Sequence, residues 1–88
     1  MSWEAIYYAT KQTAGNSTDK LVLLMVANLA DESGFCFPSH KYLAKVTEMS
    51  ERSVQRSISR LVDAGLLLKQ KRFNEHGQTS NGYTVVMV

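Results

Sequence analysis

Cysteine is almost missing from this chain of 88 residues: Cys36 stands alone. No disulfide can form within the chain, and Cys36 with His40 and His76 gives too few well-spaced ligands for a structural zinc. A reduced, mostly buried thiol is the state expected of Cys36. Long apolar runs are missing as well. The longest, over residues 21–30, is about half of the roughly 20 residues that a membrane-spanning helix needs, and Asn28 interrupts it. That run predicts a buried helix and no membrane partner. No basic segment leads into an apolar stretch and a small-residue cleavage site; Met1-Ser2-Trp3-Glu4 opens an aromatic amphipathic segment, which predicts a cytoplasmic protein. Paired carboxylates, a glycine-rich phosphate loop and a Cys/His dyad are absent too. With little apolar area left for a deep cleft at this length, the expectation is no enzyme, no catalytic residue, no metal, no cofactor and no small-molecule ligand. Ser17-Thr18-Asp19-Lys20 does match the S-x-x-K string of serine acylases, but without companion motifs it reads as helix capping.

What the chain does contain is an ordinary globular composition, 44% hydrophobic and 20% charged, which supports one compact core. Its net charge of +2 is unevenly spread. Residues 1–38 carry two Lys against four Asp and Glu, while residues 39–88 carry eight Lys and Arg against four. The C-terminal half is therefore basic, as expected for a polyanionic partner.

Trp3, Ile6 and Tyr7 recur at helical spacing and predict a first helix ending near Ala14-Gly15. Its apolar stripe is expected to pack on the core, a homodimer contact being the alternative. Asn16-Ser17-Thr18 supplies capping side chains for a second helix, with Leu21, Leu24, Met25 and Leu29 on one face, running to Asp31. Glu32-Ser33-Gly34 stops it. Phe35-Cys36-Phe37-Pro38 is too short and aromatic for a helix, and Pro38 biases Phe37 toward extended geometry, so an edge strand is expected there. Ser39 caps a helix carrying Tyr42, Leu43 and Val46 inward. Four residues, Thr47 to Ser50, separate it from a helix that starts at Ser50, keeps Val54, Ile58, Leu61 and Val62 on one face and stops at Gly65 after Ala64. From Leu66 the pattern becomes that of a β-hairpin with a long polar tip over residues 74–81.

Two short helices joined by a four-residue turn and followed by a hairpin make a helix-turn-helix with a wing. The fold class expected is α+β, mainly α: a winged helix-turn-helix with a three-helix core, an extra N-terminal helix and a C-terminal β-hairpin wing. It forms one domain over residues 1–88, with the helix-turn-helix at 39–65 and the wing at 66–88. At about 100° per residue, the apolar face of the second motif helix leaves Arg52, Arg56, Ser59, Arg60 and Asp63 on the opposite arc, with Ser53 and Gln55 at its margins. Arg can pair with guanine through two hydrogen bonds, Gln with adenine, and short hydroxyls with bases or phosphates. Lys69, Lys71, Arg72 and His76 make the hairpin a basic, donor-rich arm suited to phosphate or a minor groove. Ser39, His40, Lys41 and Ser50 sit at helix starts, where the dipole adds to the attraction for a phosphate. Double-stranded DNA is the partner these residues predict. A protein-docking face would expose apolar anchors, and this helix arc offers none, so a protein-interaction or dimerisation module is the alternative.

The stretch from Leu43 to Leu67, Leu-Ala-Lys-Val-Thr-Glu-Met-Ser-Glu-Arg-Ser-Val-Gln-Arg-Ser-Ile-Ser-Arg-Leu-Val-Asp-Ala-Gly-Leu-Leu, resembles the winged helix-turn-helix signature of bacterial and phage regulators. With Phe35-Cys36-Phe37-Pro38-Ser39 and the helix from Lys20 to Asp31, it is similar to domains found alone in prophage-type genes and at the N-terminus of phage and plasmid replication initiators. The resemblance covers the chain from Ser17 onward. It implies DNA binding through Arg52, Ser53, Gln55 and Arg56, with the wing touching backbone, in a transcription regulator or an origin-binding domain. One position departs from the pattern: Glu48 sits in the turn where such motifs often carry Gly, and a left-handed conformation there costs a non-glycine residue on the order of 1 kcal/mol.

Overall fold

Residues 3–87 are described by the structure, a computed structural model. Four helices, α1 (Trp3–Lys11), α2 (Ser17–Leu29), α3 (His40–Thr47) and α4 (Glu51–Asp63), are joined by five short strands, β1 (Phe35–Cys36), β2 (Leu67–Gln70), β3 (Phe73–Asn74), β4 (Gly77–Gln78) and β5 (Gly82–Val85). This is a compact α+β winged helix-turn-helix, as the sequence predicts. Among the described residues no helix is long and apolar enough to cross a membrane.

The helix starts are set by one device used three times. Asn16, Ser39 and Ser50 precede α2, α3 and α4 in extended conformation, and each side-chain oxygen accepts the backbone N–H three residues on, from Asp19, Tyr42 and Ser53. Each such cap stabilises its helix by about 1 kcal/mol. Two of the helix ends match as well. At the end of α4, Gly65 N–H donates to the Val62 carbonyl and Leu66 N–H to that of Leu61, with Gly65 at φ +78°. At the end of α3, Glu48 N–H donates to the Lys45 carbonyl and Met49 N–H to that of Ala44, with Glu48 at φ 58°, so the turn keeps its left-handed geometry without a glycine. Both are Schellman closures, and Leu66 and Met49 pack on the core beside them. Only the second puts a side chain where glycine is at ease. Glu48→Gly is therefore expected to raise stability by about 1 kcal/mol, seen as a higher urea midpoint at unchanged slope. A lower midpoint would mean that the glutamate side chain itself holds the turn.

The core is built on α2, which contacts α1, α3, α4 and β5. Val22, Leu23, Val26 and Ala27 of α2 are buried with Leu43, Val54, Ile58, Leu61, Leu67, Tyr83 and Val85. The stripe expected on α2 differs: Leu24, Met25 and Leu29 are only partly buried, and Leu21 is exposed. A helix enclosed on several sides is apolar nearly all round, so its periodicity does not single out the deepest face. A second correction concerns α1. Its buried contacts are Ala5 and Ala9, while Trp3 is 80% and Tyr7 59% exposed and only Ile6 of the expected stripe packs on the core. Two alanines let α1 lie close to α2, and the aromatic residues fall outside that contact. The helix also ends before Gly15, where Lys20 Nζ donates to the carbonyls of Thr10 and Gln12 and closes it from the side. On α3, Leu43 is buried and Val46 half-buried, whereas Tyr42 points outward.

Strands β1, β5 and β2 form an antiparallel sheet in that order, so β1 is an edge strand as expected. Leu67 pairs with Val85 and Lys69 with Tyr83. Gly82 closes this ladder opposite Gln70 because the Phe35 ring lies across it; a Cβ there would stand 2.5 Å from two ring carbons. Beyond the ladder the wing tip is more ordered than a polar loop: Phe73 pairs with Gln78 and Asn74 with Gly77 in a second, two-stranded ladder. The Asn74 side chain accepts the His76 N–H at 2.8 Å and tightens its turn. Cys36 is buried and free, with Sγ donating to the Val26 carbonyl at 3.4 Å, and burial pushes its thiol up to about 11, so it stays protonated.

Candidate nucleic-acid interface

Helix α4 turns two opposite faces to two environments. Val54, Ser57, Ile58 and Leu61 are sealed in the core, and Arg52, Gln55, Arg56 and Ser59 are exposed on the far arc, where they line one shallow depression together with Arg60. Among the described residues, Arg52 and Arg56 have no ion-pair or hydrogen-bond partner, so their guanidinium donors are available to a ligand. Ser53, half-buried at the margin, is tied to the helix start: its Oγ accepts from Ser50 Oγ at 2.9 Å. The Ser50 and Ser39 hydroxyls are engaged as caps.

Arg60 behaves differently from the free face that the sequence predicts. Its Nε donates to Asp19 Oδ2 and its Nη2 to Asp19 Oδ1, both at 2.8 Å, across 41 residues. The Asp19 side chain is 1% exposed and that of Arg60 52%. Asn16 and Ser57 are further hydrogen-bond partners of the carboxylate, and this set, Arg60 foremost, holds Asp19 below the usual carboxylate range. The pair fastens the start of α2 to α4. Sequence reasoning missed Asp19, which there is one of several acidic residues; its only local signal is the third position of a helix capped by Asn16.

The wing meets the helices at the start of α3. His40 Nε2 and the Tyr83 hydroxyl are 3.1 Å apart, and a concavity lined by Ser39, His40, Thr79, Ser80, Asn81 and Tyr83 separates helix from arm. Lys69 of β2 and Glu51 of α4 both act on the His40 ring, which places the starts of α3 and α4 and the base of the wing around one residue. Lys41, Lys69, Lys71 and His76 are exposed. His76 lies 3.4 Å from Glu75 at the tip, a fully solvated contact of little energetic weight. Arg72, expected as a free donor of the arm, is instead used to close it. Its guanidinium stacks 4.1 Å above the Phe37 ring, and Nη1 donates to the Ser80 carbonyl at 3.2 Å.

His40 carries a pH consequence. Burial, and then the Lys69 charge, lowers its ring below the ordinary imidazole value, so the folded state favours the neutral form. The stability this contributes is complete above the unfolded-state value of about 6.5 and is lost as pH falls through the lower folded value. Urea midpoints at neutral and mildly acidic pH are expected to fall further for the native protein than for His40→Gln. Equal falls would remove His40 from the acid response.

The described residues thus bring together the exposed face of α4, the start of α3 and the wing, with Arg60 and Arg72 committed to internal contacts. Comparison with curated proteins gives no match. Among solved structures, the chain is similar to one titled a possible transcriptional regulator from Methanosarcina mazei Go1, at 20% identity and a TM-score of 0.63. That alignment covers 94% of this chain and 63% of the other, and at such identity it speaks for the fold. A family model described as a helix-turn-helix domain matches residues 16–67, from the cap of α2 to the first residue of β2. More than half of the sequence lies within that match, and the chain belongs to the helix-turn-helix domain family.

Proposed function

We propose that this domain binds double-stranded DNA in a sequence-dependent way, with α4 in the major groove and the wing on the adjoining backbone. The observation that carries the reading is the outward arc of α4: Arg52, Gln55, Arg56 and Ser59 share one surface with no apolar anchor, opposite a face wholly committed to the core. Arg52, Gln55 and Arg56 have the donors and acceptors to read base edges. Lys41, Lys69, Lys71 and His76 supply phosphate contacts, and Ser39, His40 and Ser50 lie at helix starts whose dipoles favour a phosphate. The chain acts as a single domain, with residues 39–65 as the reading motif and 66–88 as the wing. Arg60 and Arg72 serve by holding α4 and the wing in place.

Within DNA binding, the regulator role is the one we favour over origin binding in a phage or plasmid replication initiator, because the fold likeness is to a possible transcriptional regulator. Selection of bound sequences from a random duplex pool tests the proposal. Enrichment of a defined site is expected; a palindrome would mean two copies on half-sites about one helical turn apart, and an asymmetric site one copy. A pool that stays random through successive rounds overturns the sequence-dependent reading.

A further inference from the structure

The three arginines that α4 presents are not equivalent. Arg52 and Arg56 are unpartnered among the described residues, whereas Arg60 puts its Nε and Nη2 edge on the Asp19 carboxylate in a two-bond fork. The same fork is the one a guanidinium uses to clamp a phosphate. We propose that Asp19 sets the selectivity of the domain for its site by withholding Arg60 from the DNA backbone, the buried carboxylate standing where a phosphate would otherwise bind. This rests on the DNA-binding reading above.

Position and energetics both support it. Half of the Arg60 side chain is exposed, and it lines the depression formed by Arg52, Gln55, Arg56 and Ser59 as well as a groove with Thr18 and Ser53, so backbone passing over α4 comes within its reach. Asp19 cannot follow Arg60 outward, because it is 1% exposed and held by Asn16 and by its place in the first turn of α2. Transfer of Arg60 to a phosphate would leave that carboxylate buried without its main partner, in exchange for a solvent-screened contact. The lock therefore persists on DNA. Random duplex, bound through phosphates alone, loses one cation, while a preferred site keeps Arg52, Gln55 and Arg56 on its bases. The ratio of the two affinities rises.

The test is the salt dependence of binding to random duplex for the native protein, Asp19→Asn and the double variant Asp19→Asn/Arg60→Gln. The amide keeps the shape of the carboxylate and frees the Arg60 charge. Asp19→Asn is expected to steepen the slope of log K against log salt by about 0.9, one added phosphate contact, to bind random duplex more tightly at low salt, and to lose preference for the selected site. The double variant removes both charges together, the change least disruptive to folding, and is expected to keep the native slope. An unchanged slope in a folded Asp19→Asn overturns the proposal. So does a double variant shallower than native by about 0.9, since that would mean Arg60 already contacts phosphate; this second arm decides the matter even where Asp19→Asn fails to fold. A native protein that binds no duplex removes the DNA-binding reading itself, and this proposal with it.

Discussion

Arg56→Ala is expected to weaken binding to the preferred duplex by about 10- to 100-fold, and binding to random duplex far less. Arg56 lies near the middle of the exposed arc of α4, one helical turn from both Arg52 and Arg60, with Ser59 beside it. It has no internal partner among the described residues, so the variant forfeits no folding contact of its side chain. A bidentate arginine-to-guanine contact discriminates by roughly 1–3 kcal/mol, and each 1.4 kcal/mol, approximately, is tenfold in affinity. On random sequence the same side chain contributes only one cation among several. Competition titrations with selected and random duplexes separate the two. Equal losses on both would assign Arg56 to phosphate and move base reading to Arg52 and Gln55.

Arg60→Ala is expected to lower the stability of the free domain, because it leaves the buried Asp19 carboxylate without its main partner; with Arg60 itself half-exposed, solvent screening keeps the loss below that of a fully buried pair. Asp19 then keeps its charge within the fold with only Asn16 and Ser57 to satisfy it. For a domain of this size the loss is read as a Tm lowered by several degrees. The pH dependence follows from the lowered carboxyl. A carboxylate whose folded value lies below its unfolded one contributes stability that is complete above the unfolded value and is lost as pH falls through the folded one. Without Arg60 the folded value returns toward the unfolded one, so the variant loses less stability on acidification and the gap between the two proteins narrows in acid. Thermal melts of both proteins from neutral pH into acid check this; a variant as stable as the native protein throughout would mean that the pair contributes nothing net.

The features legible in the sequence are those written locally. Asn16, Ser39 and Ser50 are read as caps from their identity and the apolar period after them, and all three act as caps. Glu48 stands where the resembling motifs often carry Gly, which leaves open a changed turn or a strained residue, and the structure shows the latter, with Glu48 left-handed. The limits of α4 and the edge position of β1 come from the same kind of signal. What the sequence hides depends on partners far along the chain. Spacing makes Trp3, Ile6 and Tyr7 a stripe, yet the close approach of α2 selects Ala5 and Ala9 instead. A stretch rich in Asn, Gln, Thr and Ser reads as a loose tip, although residues 73–78 form a short ladder. Arg60 looks like one more outward arginine because its partner is 41 residues away, and Arg72 like one more wing cation because Phe37 precedes the helix-turn-helix. The arc expected to read DNA thus shrinks to Arg52, Gln55, Arg56 and Ser59 with nothing added from the apolar side.

DNA binding itself is tested most directly by the affinity of the native domain for duplex DNA across a range of salt concentrations. Exposed Lys41, Lys69 and Lys71, with Arg52 and Arg56 adding their charges where they are not on bases, supply roughly three to five phosphate contacts, and a straight line of log K against log salt with a slope between about −2.7 and −4.5 is expected. A flat line, or no binding at low salt, would contradict it and turn the basic face of α4 into a solvated surface.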